Sequence, residues 1–257
     1  MISKLKLFAI AATVAFVAGC AQSPSTSSST SSAESAEGLV RYKHVVDYAY
    51  VKKHAALPRD DKASLIVDSR PAARRYDIGH ISGAINIPES QFDKLAPTLL
   101  PANKNAEVIF YCQGPTCDLS AKSALKAEKL GYTNLKVYEG GTPDWEAKGE
   151  PLSVSTAFMQ KVIAEKADIM LIDSRPARRV ASDGTIPGAI NISDSSFDKE
   201  VGKLPQDKQK EIIFFCQGFA CDLSDKSAKK AIALGYKKVR TYAAGHPGWK
   251  AATEGKK

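Results

Sequence analysis

A chain of 257 residues, 44% hydrophobic and 25% charged, is long enough for two cores, each of a domain of roughly 100 residues. Its net charge of +8 arises from Lys mixed with Asp and Glu along the chain. No Arg/Lys cluster with interleaved aromatics stands out, which excludes nucleic acid as a partner and leaves the excess as a solvated surface that favours anions or acidic partners.

Taken in order, the first residues are a targeting segment. Lys4 and Lys6 precede an apolar run from Leu7 to Ala18, too short to span a bilayer comfortably and matching the core of a signal peptide over residues 1–19. The run stops at Val17-Ala18-Gly19-Cys20, which resembles the lipobox of bacterial lipoproteins. That resemblance implies cleavage before Cys20, lipidation of Cys20 and export to the cell envelope. Ala21, rather than Asp, in the next position implies sorting to the outer membrane. Several acyl chains hold a protein at a membrane far more firmly than one. Residues 20–38 are mostly Ser, Thr, Ala and Glu with a single Pro24, a composition that cannot bury a core and reads as a flexible tether.

Beyond the tether the chain repeats itself, giving expected domains at 39–152 and 153–257. Tyr48 to Ala56 and Ala157 to Lys166 read as the first helix of each copy. Ile66-Val67-Asp68-Ser69-Arg70-Pro71 returns as Leu171-Ile172-Asp173-Ser174-Arg175-Pro176, and Gly83-Ala84-Ile85-Asn86 as Gly188-Ala189-Ile190-Asn191, both 105 residues on. Trp145 returns as Trp249, 104 residues on, so one residue is lost between. A period of this size marks whole domains rather than solenoid units. Short, nearly continuous apolar strands alternating with helical stretches predict an α/β fold with a parallel sheet flanked by helices in each domain.

The segment with most chemistry is Phe110-Tyr111-Cys112-Gln113-Gly114-Pro115-Thr116-Cys117-Asp118-Leu119-Ser120. It recurs as Phe214-Phe215-Cys216-Gln217-Gly218-Phe219-Ala220-Cys221-Asp222-Leu223-Ser224. In each copy a β-branched and aromatic run ends at a cysteine, and a Gly-containing loop leads into a Lys/Ala-rich helix. Backbone N–H groups and the helix dipole converge at such a junction and favour thiolate, the reactive form of cysteine. Apart from Cys20, the four cysteines of these two Cys-x4-Cys pairs are the only ones in the chain. In an oxidising compartment stray thiols are liabilities, so this economy implies a role for the pairs.

Four separated motifs, in order and in both copies, resemble the rhodanese (sulfurtransferase) family. They are Ile66-Val67-Asp68-Ser69-Arg70-Pro71; Gly79-His80-Ile81-Ser82-Gly83-Ala84-Ile85-Asn86-Ile87-Pro88; the strand–cysteine–loop–helix; and Gly140-Gly141 followed by Trp145, Gly149 and Pro151. The resemblance covers residues 45 to 255. It implies that Cys112 and Cys216 carry sulfane sulfur as persulfides, cradled by loop residues Gln113 to Thr116 and Gln217 to Ala220. It further implies a small sulfur-containing donor and a thiol or other nucleophilic acceptor. No cofactor is required, because the cysteine itself carries the sulfur.

Neither loop contains a cation, and each places a carboxylate, Asp118 or Asp222, just past its second cysteine. A carboxylate there opposes a neighbouring thiolate and argues against thiosulfate as donor, unless Arg74, Arg75, Arg178 or Arg179 supplies the charge from outside. No Arg closes either loop as a phosphate clamp would require, which argues against phosphatase chemistry. Cys117 and Cys221 admit three readings: a resolving thiol, a metal ligand in a shared four-thiolate site, or a small packed residue at a helix start. The pairs Asp68–Arg70 and Asp173–Arg175 read either as buttresses of the reactive loop or as buried pairs that stabilise the fold. His80, replaced by Thr185, reads as a hydrogen-bonding turn residue, and the two Trp as core or rim aromatics.

The two resemblances together imply a lipid-anchored, exported tandem sulfurtransferase. From a different class comes a thiol redox or binding component of an envelope complex, which handles chalcogen oxyanions or docks a partner protein. The absence of a CxxCH haem-attachment motif leaves any electron transfer to partners.

Overall fold

The fold is described from a computed structural model over residues 38–60 and 62–254. The expected signal segment and Cys20 lie outside the described residues.

The first copy runs α1 (Tyr48–Ala55), β1 (Leu65–Asp68), β2 (Ile85–Asn86), α2 (Phe92–Leu99), β3 (Val108–Tyr111), α3 (Leu119–Lys129), β4 (Leu135–Tyr138) and α4 (Gly141–Ala147). The second runs β5 (Leu152–Ser153), α5 (Thr156–Ala164), β6 (Met170–Asp173), α6 (Ala177–Asp183), β7 (Ile190–Asn191), α7 (Phe197–Glu200), β8 (Ile212–Phe215), α8 (Leu223–Ala233), β9 (Val239–Tyr242) and α9 (Gly245–Glu254). Their strands form two wholly parallel sheets, ordered β2-β1-β3-β4 and β5-β9-β8-β6-β7. The α/β architecture predicted from the alternating strands and helices is therefore present twice.

Burial on both faces explains why the strands read as unbroken apolar runs. Along β1 and β3, Val67, Val108 and Phe110 face a core shared with α2 and α3, while Ile66, Ile109 and Tyr111 face one shared with α1 and Trp145. The period of two along a strand sends neighbours to opposite faces. The second sheet repeats this, with Ile212 and Phe214 on one face and Ile213 and Phe215 on the other. Small residues Ser120, Ala121, Ser123, Ala124 and Ala127 line the buried face of α3 and let it lie close to the sheet. Helix starts are set locally: Asp47 accepts from Tyr50 N–H to open α1, and Ser155 accepts from Phe158 N–H to open α5.

Where the copies meet, β5 straddles the expected 152/153 junction and pairs with β9 at the edge of the second sheet. His80 bridges to Ser153 through two backbone hydrogen bonds of 2.8 Å. Its ring stacks on Tyr76 at 3.9 Å between centroids, with Nδ1 2.8 Å from the Tyr76 carbonyl. Burial holds the imidazole low, at about 4, so it is neutral and donates from Nδ1. Glu150 gathers Tyr48 OH (2.8 Å), Lys52 and Lys229 Nζ (2.9 Å), the last from the second copy.

Candidate active site

β3 and β8 are the central strands, and each delivers its cysteine at the carboxyl end, where parallel α/β sheets present their ligand sites. Cys112 and Cys216 are each 1% exposed, whereas Cys221 is half-buried. The two loops share one hydrogen-bond scheme. Cys117 N–H donates to the Gly114 carbonyl at 2.9 Å, and Cys221 N–H to that of Gly218 at 3.0 Å. Cys112 Sγ lies 3.2 Å from the Cys117 carbonyl and 3.4 Å from Ser120 Oγ; Cys216 Sγ lies 3.4 Å from the Cys221 carbonyl and 3.3 Å from Ser224 Oγ.

The glycine that opens α4 or α9 packs directly on the loop of its own copy. Gly141 and Gly245 have φ of +57° and +59°, and a β-carbon on either would run into the carbonyl of Cys112 or Cys216. His246 N–H donates to the Cys216 carbonyl at 2.9 Å, as Thr142 N–H does to that of Cys112 at 3.4 Å.

The two cysteine pairs are arranged differently. Cys112 and Cys117 are joined as a disulfide with Cα atoms 6.3 Å apart, while Cys216 and Cys221 are free thiols. In the free pair the proton sits on the buried strand-end cysteine. The Cys216 S–H donated to Cys221 and the burial of Cys216 push the Cys216 thiol up. That same S–H donor, helped by the N–H groups of Gln217 and Leu223, lowers Cys221 to about 6. The thiolate form is thus favoured on the more exposed second cysteine rather than on Cys216, and its first cause is the neighbouring S–H rather than the junction's N–H groups. Among the described residues no three His, Cys, Asp or Glu side chains gather at metal-ligating positions, so the four-thiolate reading has no geometry behind it.

The loop carboxylates are neutralised by their own helices. Asp118 pairs with Lys122 and Asp222 with Lys226, both at 2.9 Å. Burial tends to raise the Asp118 carboxyl, but Lys122 and the Val40 N–H outweigh it and hold it low. Of the arginines outside the loop, Arg74, Arg75, Arg178 and Arg179 are all exposed, and Arg179 faces Asp183 at 3.6 Å.

Arg70 and Arg175 reach the site from inside. Arg70, 3% exposed, grips Asp68 through Nε and Nη2, with the shortest contact at 2.6 Å. Its Nη1 donates to Gln113 Oε1 and Thr142 Oγ1, both at 3.1 Å. In the first copy the buried pair therefore does buttress the loop. In the second, Arg175 grips Asp173 in the same way, but its Nη1 faces His246 Nδ1 at 3.2 Å. An arginine can only donate, so His246 Nδ1 accepts; burial and then the Arg175 charge hold the ring low and neutral. Gln217 Oε1 is left buried without a protein partner. The second loop gains a different brace: Arg59 N–H, from the first copy, donates to the Phe219 carbonyl at 2.9 Å. Trp145 and Trp249 are 2% and 9% exposed, core residues rather than stacking platforms.

Sequence reasoning assigned no role to Ser120, Ser224, Thr142, His246 or Arg59. The serines carried a signal, since both copies end the cysteine segment on Ser. Thr142 and His246 carried a weaker one, as the position where Gly-x-Pro differs between copies. Arg59 lies outside every repeated motif.

The sequence profile of the rhodanese-like domain matches residues 51–148 and 157–252. A protein of Arabidopsis thaliana named dual specificity phosphatase Cdc25 is 31% identical over 113 residues, covering 40% of this chain and 77% of that one. A putative thiosulfate sulfurtransferase of Mycolicibacterium smegmatis is 26% identical over 233 residues, covering 65% of this chain and 81% of its own. Among solved structures, the 3-mercaptopyruvate sulfotransferase SseA from Escherichia coli is 18% identical with a TM-score of 0.37, covering 79% of this chain and 99% of its own.

Proposed function

Because the chain belongs to the rhodanese-like domain family, twice over, we propose that it is an exported, lipid-anchored sulfurtransferase carrying sulfane sulfur as a persulfide on Cys112 and Cys216. The observation that carries this reading is a cysteine held at the carboxyl end of the central strand in both copies, with one hydrogen-bond scheme around it. Reduction of the Cys112–Cys117 bond gives the first loop the dithiol form of the second. Attack then begins with a proton shift: Cys216 passes its S–H proton to the Cys221 thiolate as its sulfur closes on the donor's sulfane sulfur. The donor's remaining portion leaves with the electron pair, and Cys216 keeps the sulfur as Cys–S–S⁻. Loop N–H dipoles stabilise that anion. A nucleophilic acceptor, such as a thiol, then removes the outer sulfur and restores the cysteine.

The neutralised Asp118 and Asp222 remove one objection to an anionic donor, yet no free cation stands in either loop. This supports a donor other than thiosulfate. One observation favours the second reading, an envelope thiol redox component: the two cysteines of the first loop stand close enough to be joined. Sulfur transfer to a thiol acceptor separates the two. Cys112→Ser and Cys216→Ser should each remove part of the activity and the double variant nearly all; full activity in the double variant would overturn the persulfide mechanism. Membrane fractionation tests the anchor. Cys20→Ser should release the protein or leave it unprocessed, and a mature N-terminus elsewhere without acyl mass would refute lipidation.

A further inference from the structure

The paired loops differ in the bond between their cysteines and in the side chains that brace them, but not in the hydrogen bonds inside the loop. Cys112 and Cys117 are joined, Cys216 and Cys221 are not. Yet the loop amide bonds differ by only 0.1 Å between copies (2.9 and 3.0 Å), and so do the serine contacts (3.4 and 3.3 Å). One loop backbone therefore accommodates both the dithiol and the disulfide. The Cα separation of 6.3 Å in the closed loop lies inside the range that a disulfide spans without backbone movement.

That preorganisation has a consequence for a persulfide formed on the first cysteine of a loop. Its inner sulfur stands beside a second thiol that already has the geometry to bond to it. Resting on the sulfurtransferase reading above, we propose that each loop also discharges its sulfur internally, the second cysteine attacking the persulfide and releasing hydrosulfide.

The step balances. Cys216–S–S⁻ and the protonated Cys221 thiol give the Cys216–Cys221 disulfide and HS⁻. The new bond joins the two cysteine sulfurs, and the bond broken is that between Cys216 Sγ and the sulfane sulfur. The outgoing sulfur takes the electron pair and the proton of Cys221. The sulfane sulfur is reduced by two electrons, and the cysteine pair is oxidised by the same two. An external dithiol resets the loop by thiol–disulfide exchange. The Cys112–Cys117 disulfide is the discharged state of the first loop, and the Cys216–Cys221 dithiol is the state ready for loading. The proton needed by the leaving sulfur is in place, because loading at Cys216 hands it to Cys221. The activity is a sulfane-sulfur reductase, a dithiol-consuming release of sulfide, in addition to transfer to an outside acceptor.

The test uses the full chain, reduced with dithiothreitol and desalted, then exposed separately to 3-mercaptopyruvate, thiosulfate and inorganic polysulfide. Intact mass, free thiols and hydrosulfide are measured. The wild type should lose two thiols and release one hydrosulfide per loop, ending as a disulfide with no added sulfur. Cys117→Ala/Cys221→Ala should instead keep one added sulfur per loop, removable by reductant, and release no hydrosulfide until an acceptor thiol is supplied. A wild type that retains the added sulfur with Cys117 and Cys221 still free would overturn the inference while leaving the sulfurtransferase reading intact. No sulfur addition to the double variant from any of the three donors would overturn that underlying reading, and the inference with it. Hydrosulfide release by wild type without loss of thiols would also refute internal discharge.

Discussion

Thr185 Oγ1 donates to Asp173 Oδ2 at 2.7 Å, filling the place that the Tyr111 hydroxyl fills at Asp68 Oδ2 in the other copy at 2.8 Å. Both carboxylates are fully buried beside an arginine. Each needs more donors than that arginine supplies, because a buried charge is tolerated only when its lone pairs are met. The second copy has Phe215 where the first has Tyr111, and it takes the missing hydroxyl from a residue in a different loop.

Removing either hydroxyl should therefore be costly. Tyr111→Phe and Thr185→Val should each destabilise the protein by about 1–3 kcal/mol, the penalty for stranding a buried acceptor. Phe215→Tyr should recover part of the Thr185→Val loss, while adding little to the wild type. Chemical denaturation of the four variants checks this, and a Thr185→Val variant as stable as wild type would contradict it.

The arginines make a sharper case. Arg70→Met leaves Asp68 charged, buried and unpaired, and loss of one member of such a pair costs about 3–5 kcal/mol. Arg175→Met should cost a similar amount. Their effects on the loops should differ, because Arg70 touches Gln113 directly and Arg175 does not touch Gln217. Gln113→Leu should then slow sulfur loading at Cys112 with little change in thermal stability. Gln217→Leu should leave loading at Cys216 near wild type, since its Oε1 has no protein partner to lose. Loading rates measured in Cys216→Ser and Cys112→Ser backgrounds, respectively, isolate each loop.

Much of this arrangement is legible in the chain itself. The apolar runs Val108–Tyr111 and Ile212–Phe215 carry the strand signal without interruption, because both faces of the sheet are covered. A repeated cysteine at each strand end marks the candidate site. Exchanges between distant positions are not legible. Thr185 in place of His80 looks like a tolerated turn change until Phe215 is seen to lack the hydroxyl of Tyr111. His246 in place of Thr142 gains its meaning only from the arginine it faces. Nor does the sequence rank the two thiols, since the buried position of Cys216 and the half-exposed one of Cys221 are products of packing.

That ranking predicts a pH profile. Cys221 is held near 6 by the Cys216 S–H, so the thiolate fraction at Cys221 rises with pH through that value. Alkylation of Cys221 by iodoacetamide should be level by about pH 8, where an ordinary thiol is still gaining reactivity. Cys216 should resist until far more alkaline conditions. In Cys216→Ala the S–H donor is gone, the thiolate loses its stabilisation, and the midpoint of Cys221 alkylation should move upward. Peptide mass mapping after timed alkylation assigns each thiol, and faster labelling at Cys216 than at Cys221 near pH 7 would be the contrary result.

The last prediction concerns the glycines under the loops. Gly141 and Gly245 sit at positive φ with the carbonyl of the preceding loop cysteine against the space a side chain would need. Gly141→Ala brings a β-carbon onto the Cys112 carbonyl and within 2.6 Å of Gly114 N. Both are backbone atoms, so relief requires the loop itself to shift. The left-handed conformation adds a penalty of about 1 kcal/mol or more for any residue with a β-carbon. Gly245→Ala meets the same obstacle at Cys216 and Gly218. Each substitution should lower the unfolding midpoint by several degrees and, by displacing the loop, slow disulfide closure in its own copy. Gly131→Ala is the control: its φ of +87° carries the conformational penalty, but nothing lies within 4 Å of its β-carbon. It should cost stability and leave closure of the Cys112–Cys117 bond unchanged. Reoxidation of the reduced protein, followed by thiol titration, tells strain in the chain from displacement of the loop: equal closure rates in Gly141→Ala and Gly131→Ala would mean that the contact with Cys112 does not position the reactive sulfur.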